Sequence, residues 1–529
     1  MSRSGSNVGI YDEERAEVLT HGLARLVCRH KMLPRSVCDG SKSFSLSQIM
    51  CELDPRFESC LDFETLERNC LKLYDVDKDK VKKIFSELGG RICLCVDTLV
   101  DVKQKDQYLC LSAQFINNDW KLKKWIIKFF SVSDLKNIPS VEIMKALKEY
   151  NIDNNVLSLT VGGTTDLADI VKEEVQKQSK LPMDGQLFHV QCCCDIISQI
   201  VKKGFDEIDE IIGKVKLLSW SQLLPLWYLV TSNLSDALKK EALGKFKSRK
   251  KKDLHAVPSE KEWGKVRSVC KITERIHDII RGLFEMKRPT ANLFLPHLQE
   301  IRAYLTEEST NSDVFMSHVA QKMLEIFNNY WNDMCLALSI AAFLDPRYKL
   351  KFVELFLSDL EAVSVLENIR KIYDGYAVCD QKEYLLSDSS SESGEDEDDD
   401  DEEEEIEGSR ARAKKNRCKI LENLNILKQY CQSIHGKPQK SDLDMYLEEP
   451  TLPWTEHFSV LNWWKDNCYK YPQLSKMARD FLAIPMSVAS SDGAYYTEPR
   501  EVDWTVMSLK PKLMNALMCT RSWKFDYKQ

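Results

Sequence analysis

The sequence predicts an α/β fold combined with an all-α region, because the period of its apolar residues changes along the chain. Between residues 91 and 192, apolar and β-branched residues form short runs that are typical of strands. From about Leu217 to Tyr373, apolar residues recur at helical spacing instead, with no convincing strand. Aromatic residues near the C-terminus follow the same helical spacing. We therefore expect a mixed sheet core, a large helical insertion and a helical C-terminal segment.

The elements of the predicted core follow a definite order. Three β-rich runs with short polar connections are typical of an antiparallel meander, and helices and strands then alternate. The predicted elements are the strands 91–97, 108–116, 125–132, 156–161 and 187–192 and the helices 141–150, 167–178 and 196–205. The order β-β-β-α-β-α-β is the one expected of a ribonuclease-H-like fold, which the helical insertion interrupts.

These patterns divide the chain into five predicted segments. They are a helical N-terminal segment (1–86), the ribonuclease-H-like core (87–215), the helical insertion (216–375), a disordered acidic/basic linker (376–435) and the C-terminal segment (436–529). The linker is predicted because Asp388 to Glu407 holds 14 acidic and no basic residues, and such a stretch cannot bury apolar surface. The net charge of −8 belongs to this stretch, and the rest of the chain is mildly basic.

Composition argues against several classes of protein. No run of about 18 apolar residues is present, so we expect no membrane span. No apolar stretch follows Met1, so we expect no secretion signal. Among the 18 cysteines, Cys93, Cys95 and Cys110 lie in apolar strand-like runs, and Cys192, Cys193 and Cys194 are consecutive. We expect reduced thiols in a cytosolic or nuclear protein rather than disulfides.

A C-terminal block, residues 443–485, contains two short aromatic helices separated by Pro472. Their apolar faces exceed what two short helices can bury against each other. The surplus either packs on the rest of the same chain or forms a subunit interface, and the sequence leaves both readings open. The residues predicted for an interface are Leu461, Trp463, Trp464, Tyr471, Pro472, Leu474, Met477, Ala478, Phe481 and Leu482.

This block resembles the C-terminal dimerisation segment of the hAT transposase superfamily. Further family motifs occur in family order along most of the chain. They are Leu23–Val27 with Leu53–Phe57, Asp119–Trp125, Asp184–Phe188, Pro258–Trp263, Pro289–Asn292, Tyr330–Trp331 and Ala342–Leu350. The chain looks most like the plant hAT-derived proteins of the DAYSLEEPER and RICESLEEPER type, transposase relatives that the host keeps as DNA-associated nuclear proteins.

The resemblance implies a metal site that this sequence does not complete. Active hAT transposases resemble two-metal nucleotidyl transferases, in which three carboxylates hold Mg²⁺ ions. The first carboxylate matches Asp97, Gly162 stands at the second position, and the third matches Asp492. Asp97 and Asp492 alone could hold at most one weak metal ion. We therefore expect no catalysis, no cofactor and no metal, with these three positions as vestiges.

DNA contacts must come from elsewhere, because the sequence lacks the paired cysteines and histidines of a BED zinc finger. A basic run supplies candidates: Lys245, Lys247, Arg249, Lys250, Lys251 and Lys252. Such a run fits nuclear import or phosphate contacts, but also a solvated loop. The leading hypothesis is a catalytically inactive nuclear protein that forms homodimers or pairs with related hAT-derived proteins. It would bind DNA mostly non-specifically and act in transcriptional regulation. The alternative is an interaction partner that binds no DNA and pairs with finger-containing relatives.

Overall fold

The computed structural model of the 529-residue chain describes the sheet, most helices and the C-terminal block. The described residues are 18, 20–28, 52, 63–100, 106–132, 138–162, 165–178, 187–219, 227–243, 257–286, 289–357, 359–389, 440–455, 457–488, 500–501 and 509–523. Residues 20–28 are helical, and α1 (Phe63–Ser86) follows them in the N-terminal part.

A mixed sheet of five main strands lies at the centre. Its strands are β1 (Ile92–Val100), β2 (Gln107–Ile116), β3 (Leu122–Val132), β4 (Val156–Val161) and β5 (Phe188–Gln191). They are arranged in the order β3-β2-β1-β4-β5. The pairs β3/β2 and β2/β1 are antiparallel, whereas β1/β4 and β4/β5 are parallel. A two-residue strand, β6 (Arg500–Glu501), pairs with the end of β1.

Helices connect the parallel strands and then form the insertion. Before β4 and β5 come α2 (Ile138–Glu149) and α3 (Thr165–Gln178). The following helices are α4 (Cys193–Asp206), α5 (Asp209–Ser219), α6 (Trp227–Ala242), α7 (Glu260–Glu285), α8 (Phe294–Glu308), α9 (Val314–Phe343), α10 (Lys349–Phe356) and α11 (Asp359–Ser389). The C-terminal helices are α12 (Asp442–Glu448), α13 (Val460–Asn467), α14 (Pro472–Leu482) and α15 (Pro511–Ser522).

Each face of the sheet is covered by a different set of helices. Alternate residues of β1 point to opposite faces. Ile92, Leu94 and Val96 belong to a cluster with α1, α2, α3 and α15. Cys93 and Cys95 belong to a second cluster, which includes α4, α9 and α14. This second cluster continues from the sheet through the helical insertion into the C-terminal block.

The predicted order of elements is confirmed. The described strands and helices of the core agree with the predicted bounds within three residues, and β4 has the bounds predicted. Among the described residues, no helix has both the length and the apolar character needed to cross a membrane. The segment boundaries at 215/216 and 435/436 stay predictions. Residues on both sides of each boundary belong to the second cluster, so the packing does not separate the segments there.

The predicted disorder of the linker 376–435 is wrong at its start. Helix α11 continues to Ser389, so residues 376–389 are helical. Tyr376 is buried and fixes the helix against the sheet, and the residues from Tyr376 to Leu386 include neither glycine nor proline. Backbone propensity and one buried contact therefore extend the helix to the edge of the acidic stretch. Residues 390–435 lie outside the described residues.

Candidate functional site

Two strand ends bring the first two predicted metal-site positions together. β1 pairs with β4 as far as Val96 and Val161. Asp97 comes next on β1, and Gly162 comes next after β4. The Gly162 backbone N–H donates to the Val96 carbonyl oxygen at 3.0 Å. Asp97 and Gly162 are therefore neighbours at one edge of the parallel pair, but Gly162 contributes no side chain there.

Lys124 occupies the same face of the sheet as Asp97. The register places Lys124 on β3, and its side chain reaches across β2. Its Nζ donates to the Val488 carbonyl oxygen at 3.0 Å. Burial alone would lower the pKa of Lys124, but the neighbouring Cys95 and Asp97 raise this pKa above its usual value. Lys124 therefore interacts electrostatically with Asp97, and this interaction favours the charged ammonium form.

The three consecutive cysteines lie after β5, under the residues that follow the C-terminal block. The Ser487 Oγ lies 2.9 Å from Cys194 Sγ and 3.8 Å from Cys192 Sγ. The Cys193 N–H donates to the Met486 carbonyl oxygen at 2.8 Å. Burial raises the pKa values of the Cys193 and Cys194 thiols well above their usual value. Such thiols are poor nucleophiles and poor ligands, so they serve packing.

The described cysteines are free, and their reduced state in the cell stays a prediction. The remaining predicted site residues lie outside the described residues. They are Asp492 and the basic run Lys245, Lys247, Arg249, Lys250, Lys251 and Lys252. In the described ranges, no group of three or more histidine, cysteine, aspartate or glutamate side chains is arranged to hold a metal ion.

The residues predicted for a subunit interface are mostly buried in their own chain. Those with no exposed surface are Trp464, Tyr471, Leu474, Met477, Ala478, Phe481 and Leu482. The Trp464 Nε1–H donates to the Leu344 carbonyl oxygen at 2.8 Å. Phe481 packs edge-to-face on Phe188 of β5, with ring centroids 5.0 Å apart. Internal packing accounts for these side chains, whereas Leu461 and Trp463 are half-buried and Pro472 is exposed.

A buried ionic network fastens the block to the sheet. Asp480 of α14 is 1% exposed and accepts hydrogen bonds from the Arg91 backbone N–H at 2.7 Å and the Tyr376 hydroxyl at 2.6 Å. The Arg91 guanidinium lies 4.5 Å from the centre of the Tyr376 ring. The Asp480 carboxylate thus connects α14 with α11 and with the start of β1.

A second buried polar cluster joins two of the family motifs. Asp345 accepts hydrogen bonds from Asn292 Nδ2 at 2.7 Å and from Arg347 Nη2 at 2.6 Å. Asp345 and Asn292 are fully buried. Sequence reasoning found the motifs 289–292 and 342–350 but gave these side chains no role. It also missed Lys124, although this lysine belongs to the motif 119–125.

Comparison with known families gives matches in three parts of the chain. Residues 100–187 match the ZBED1 RNase-like domain, and residues 292–377 match the hAT-like transposase, RNase-H fold. Residues 442–524 match the hAT family C-terminal dimerisation region. Two of these three stretches, residues 292–377 and 442–524, are therefore similar to domains of hAT transposases. The predicted ribonuclease-H-like fold with a C-terminal dimerisation region is confirmed.

Plant proteins are similar to this hAT-like chain over most of its length. The zinc finger BED domain-containing protein RICESLEEPER 2 of Oryza sativa subsp. japonica is 28% identical over 514 residues, which cover 89% of this chain and 70% of that protein. The zinc finger BED domain-containing protein DAYSLEEPER of Arabidopsis thaliana is 27% identical over 507 residues, or 90% and 69%. A putative AC transposase of Zea mays is 27% identical over 503 residues, or 87% and 60%. The predicted resemblance to this type of protein is confirmed.

Proposed function

We propose that this hAT-like chain is a catalytically inactive, domesticated nuclear protein that self-associates, contacts DNA and acts in transcriptional regulation. The observation that carries the inactivity is the pair Asp97 and Gly162. They lie side by side where the first two carboxylates of the metal site are expected, and one of them has no side chain. Two-metal catalysis depends on carboxylates that hold both ions at a short separation.

The local charge supports the same proposal. The protonated Lys124 beside Asp97 offsets the carboxylate charge and repels a divalent cation from the position where the first ion would bind. Only two carboxylates, those of Asp97 and Asp492, would remain to hold both ions. We infer that this constellation cannot organise the attacking and leaving oxygens of a strand-transfer reaction.

A DNA-cleavage assay tests the inactivity. The full chain is incubated with supercoiled plasmid and either Mg²⁺ or Mn²⁺, beside its Asp97→Ala variant. We expect the plasmid to stay supercoiled with both proteins. Nicking by the wild type that Asp97→Ala abolishes would contradict the proposal.

DNA contact is proposed from the basic run Lys245 to Lys252. Lysine and arginine contacts to phosphates release counterions, so affinity falls steeply with salt and is largely independent of sequence. In filter-binding titrations we expect retention of duplex DNA at low salt and strong loss at moderate salt. Replacing Lys250, Lys251 and Lys252 by glutamine should reduce the slope of log affinity against log salt by about 0.9 per lost contact.

The matched control for that titration is the double change Lys239→Gln and Lys240→Gln. These lysines are exposed on α6, shortly before the basic run, and Lys239 pairs with Asp236. We expect their replacement to leave the salt slope close to that of the wild type. An equal loss in both variants would mean that general positive charge, and not the basic run, attracts the DNA.

A second candidate function is favoured by one sequence observation. The 529 residues contain no C-x₂-C pair, whereas the RICESLEEPER and DAYSLEEPER relatives are named as zinc finger BED domain-containing proteins. A chain of this kind would pair with a finger-containing relative and leave DNA contact to it. Absence of DNA retention at both salt concentrations would favour this candidate over the first.

A further inference from the structure

A cleft of about 590 Å³ lies between the helical insertion and the C-terminal segment. One wall includes Met286, Thr290 and Leu293, which lie between α7 and α8, and the other includes Trp454 and Phe458, which precede α13. Trp454 is 66% exposed and Met286 is 45% exposed. The volume is in the range of about 300–1,000 Å³ that binding pockets usually have. The cleft therefore offers an apolar rim with room for a large side chain.

The floor of the cleft is polar, but its charges are paired. Arg347 lies 4.5 Å from the ring centres of both Trp454 and Phe458. Its Nε and Nη2 donate to the two carboxylate oxygens of Asp345 at 3.0 and 2.6 Å. Because these opposite charges neutralise each other, the floor presents little net charge to a phosphate group. An apolar protein surface fits the cleft better than nucleic acid does.

Trp454 is held on a well-defined segment. Residues 450–455 are neither helix nor strand and include Pro450 and Pro453. The Leu452 N–H donates to the Pro346 carbonyl oxygen at 2.9 Å, which fixes this segment to the motif that supplies Asp345. Proline rings and a fixed backbone reduce the entropy lost when a partner binds. Trp454 is thus presented in a preorganised position.

The position of the cleft in the chain favours a second copy as the partner. The cleft wall that contains Trp454 lies inside residues 442–524, which match the hAT family C-terminal dimerisation region. The apolar residues of α14 in that region are buried in their own chain, so they are not available to a partner. Trp454 and Tyr469 are the large hydrophobic side chains exposed among its described residues. Of these two, Trp454 borders the cleft.

We propose that this cleft is the contact between two copies of the chain, with Trp454 as its anchor. In a two-fold arrangement the same patch of each copy faces the other, so the exposed face of each Trp454 indole packs into the other copy's cleft. Interfaces of this kind commonly depend on one buried aromatic anchor surrounded by weaker contacts. The inference rests on the self-association proposed above and names the surface that carries it.

Light scattering of the full chain over a range of concentrations tests the inference. Trp454→Ala removes the anchor, and Thr290→Arg places a long charged side chain in the opposite wall. We expect each change to weaken the dimer by at least about tenfold, the effect of losing an interface hot spot. The control is Val314→Ser, an 83% exposed apolar residue at the end of α9 that does not line the cleft. It should leave the dimer unchanged.

The possible failures are distinguishable. Dimers of Trp454→Ala and Thr290→Arg with the wild-type dissociation constant would overturn this inference, while the proposed self-association would stand. A wild-type chain that remains monomeric at every concentration would contradict the self-association itself. Thermal unfolding of each variant as a dilute monomer should match the wild type, because Trp454 and Thr290 are not core residues.

Discussion

Lys124 influences the charge around Asp97 because the sheet brings them together: Lys124 is on β3, Asp97 is on β1, and only β2 lies between these strands. Trp454 likewise depends on Arg347, more than a hundred positions earlier in the chain, for the surface against which it stacks. In both cases a single residue changes what its surroundings can bind. The positive charge of Lys124 makes metal binding at Asp97 less favourable. The Trp454 indole, which stacks on an Arg347 already paired with Asp345, favours an apolar partner. The proposed change from an enzyme to a binding protein therefore depends on charges at individual positions, such as Lys124 and Arg347.

Glu262 gives a residue-scale prediction for pH dependence. The hydrogen bond from Lys214, with those from Ser259, lowers the pKa of Glu262 from 4.5 to about 2. Because the folded state lowers this pKa, the stabilisation is complete above about pH 4.5 and is lost as the pH falls towards 2. Its side chain is 25% exposed, so solvent screening limits the effect. We expect Glu262→Gln to lower the free energy of unfolding by about 1 kcal/mol at pH 7.

Urea unfolding of the full chain between pH 2 and 7 measures this difference. The gap between wild type and Glu262→Gln should shrink below pH 4.5 and vanish near pH 2. Glu260→Gln, a change in the same first turn of α7 at a side chain that is 75% exposed, is the control and should have little effect. A gap of constant size at all pH values would show that the Glu262 charge does not stabilise the helix start.

The sequence pattern of helix α14 suggests a subunit interface, but its apolar residues are buried in the core of their own chain. It begins with Pro472 at its first position, and Asp442 of α12 accepts hydrogen bonds from the N–H groups of Gln473 and Leu474 at 2.8 and 2.9 Å. A side chain from another helix thus satisfies donors that α14 would otherwise leave unpaired. Its apolar stripe then packs on β2 and β5 rather than on a partner.

The same distinction gives an element-scale prediction for α13. Trp464 is fully buried and donates to the Leu344 carbonyl oxygen, so Trp464→Ala should lower the free energy of unfolding by about 3–5 kcal/mol. Trp463→Ala, at the neighbouring half-buried indole, should cost less. Denaturant unfolding at low protein concentration measures both. A change of mass in light scattering without loss of stability in Trp464→Ala would instead assign this side chain directly to the interface.

At the scale of the whole molecule, local sequence patterns were enough to predict the architecture, whereas contacts between distant residues could not be predicted. The strand Val156–Val161 is an uninterrupted β-rich run, so its element type follows from local sequence. The contact between Asn292 and Asp345 joins residues 53 positions apart, and no local pattern pairs them. An apolar stripe has the same spacing whether it faces its own core or a partner, and for this reason the burial of α14 could not be predicted.

The candidate site was predictable to a similar extent. Family resemblance placed Asp97 and Gly162 at corresponding positions, and the parallel register of β1 and β4 makes them neighbours. The position of Lys124 depends on the combined register of three strands, which the sequence does not encode in any short segment. The cleft depends on a contact between the insertion and the C-terminal segment, and therefore appears only in the folded chain.

The closure of one sheet face by residues near 480–488 also has a consequence for biosynthesis. The Gln114 side chain donates to the Ala483 carbonyl oxygen at 2.8 Å, and the Cys193 N–H donates to the Met486 carbonyl oxygen. The strands are therefore synthesised well before the residues that cover them. While the ribosome translates the intervening insertion, this apolar face stays uncovered and is open to chaperones or to aggregation. A product that ended within the acidic stretch would lack the residues that cover this face of the sheet.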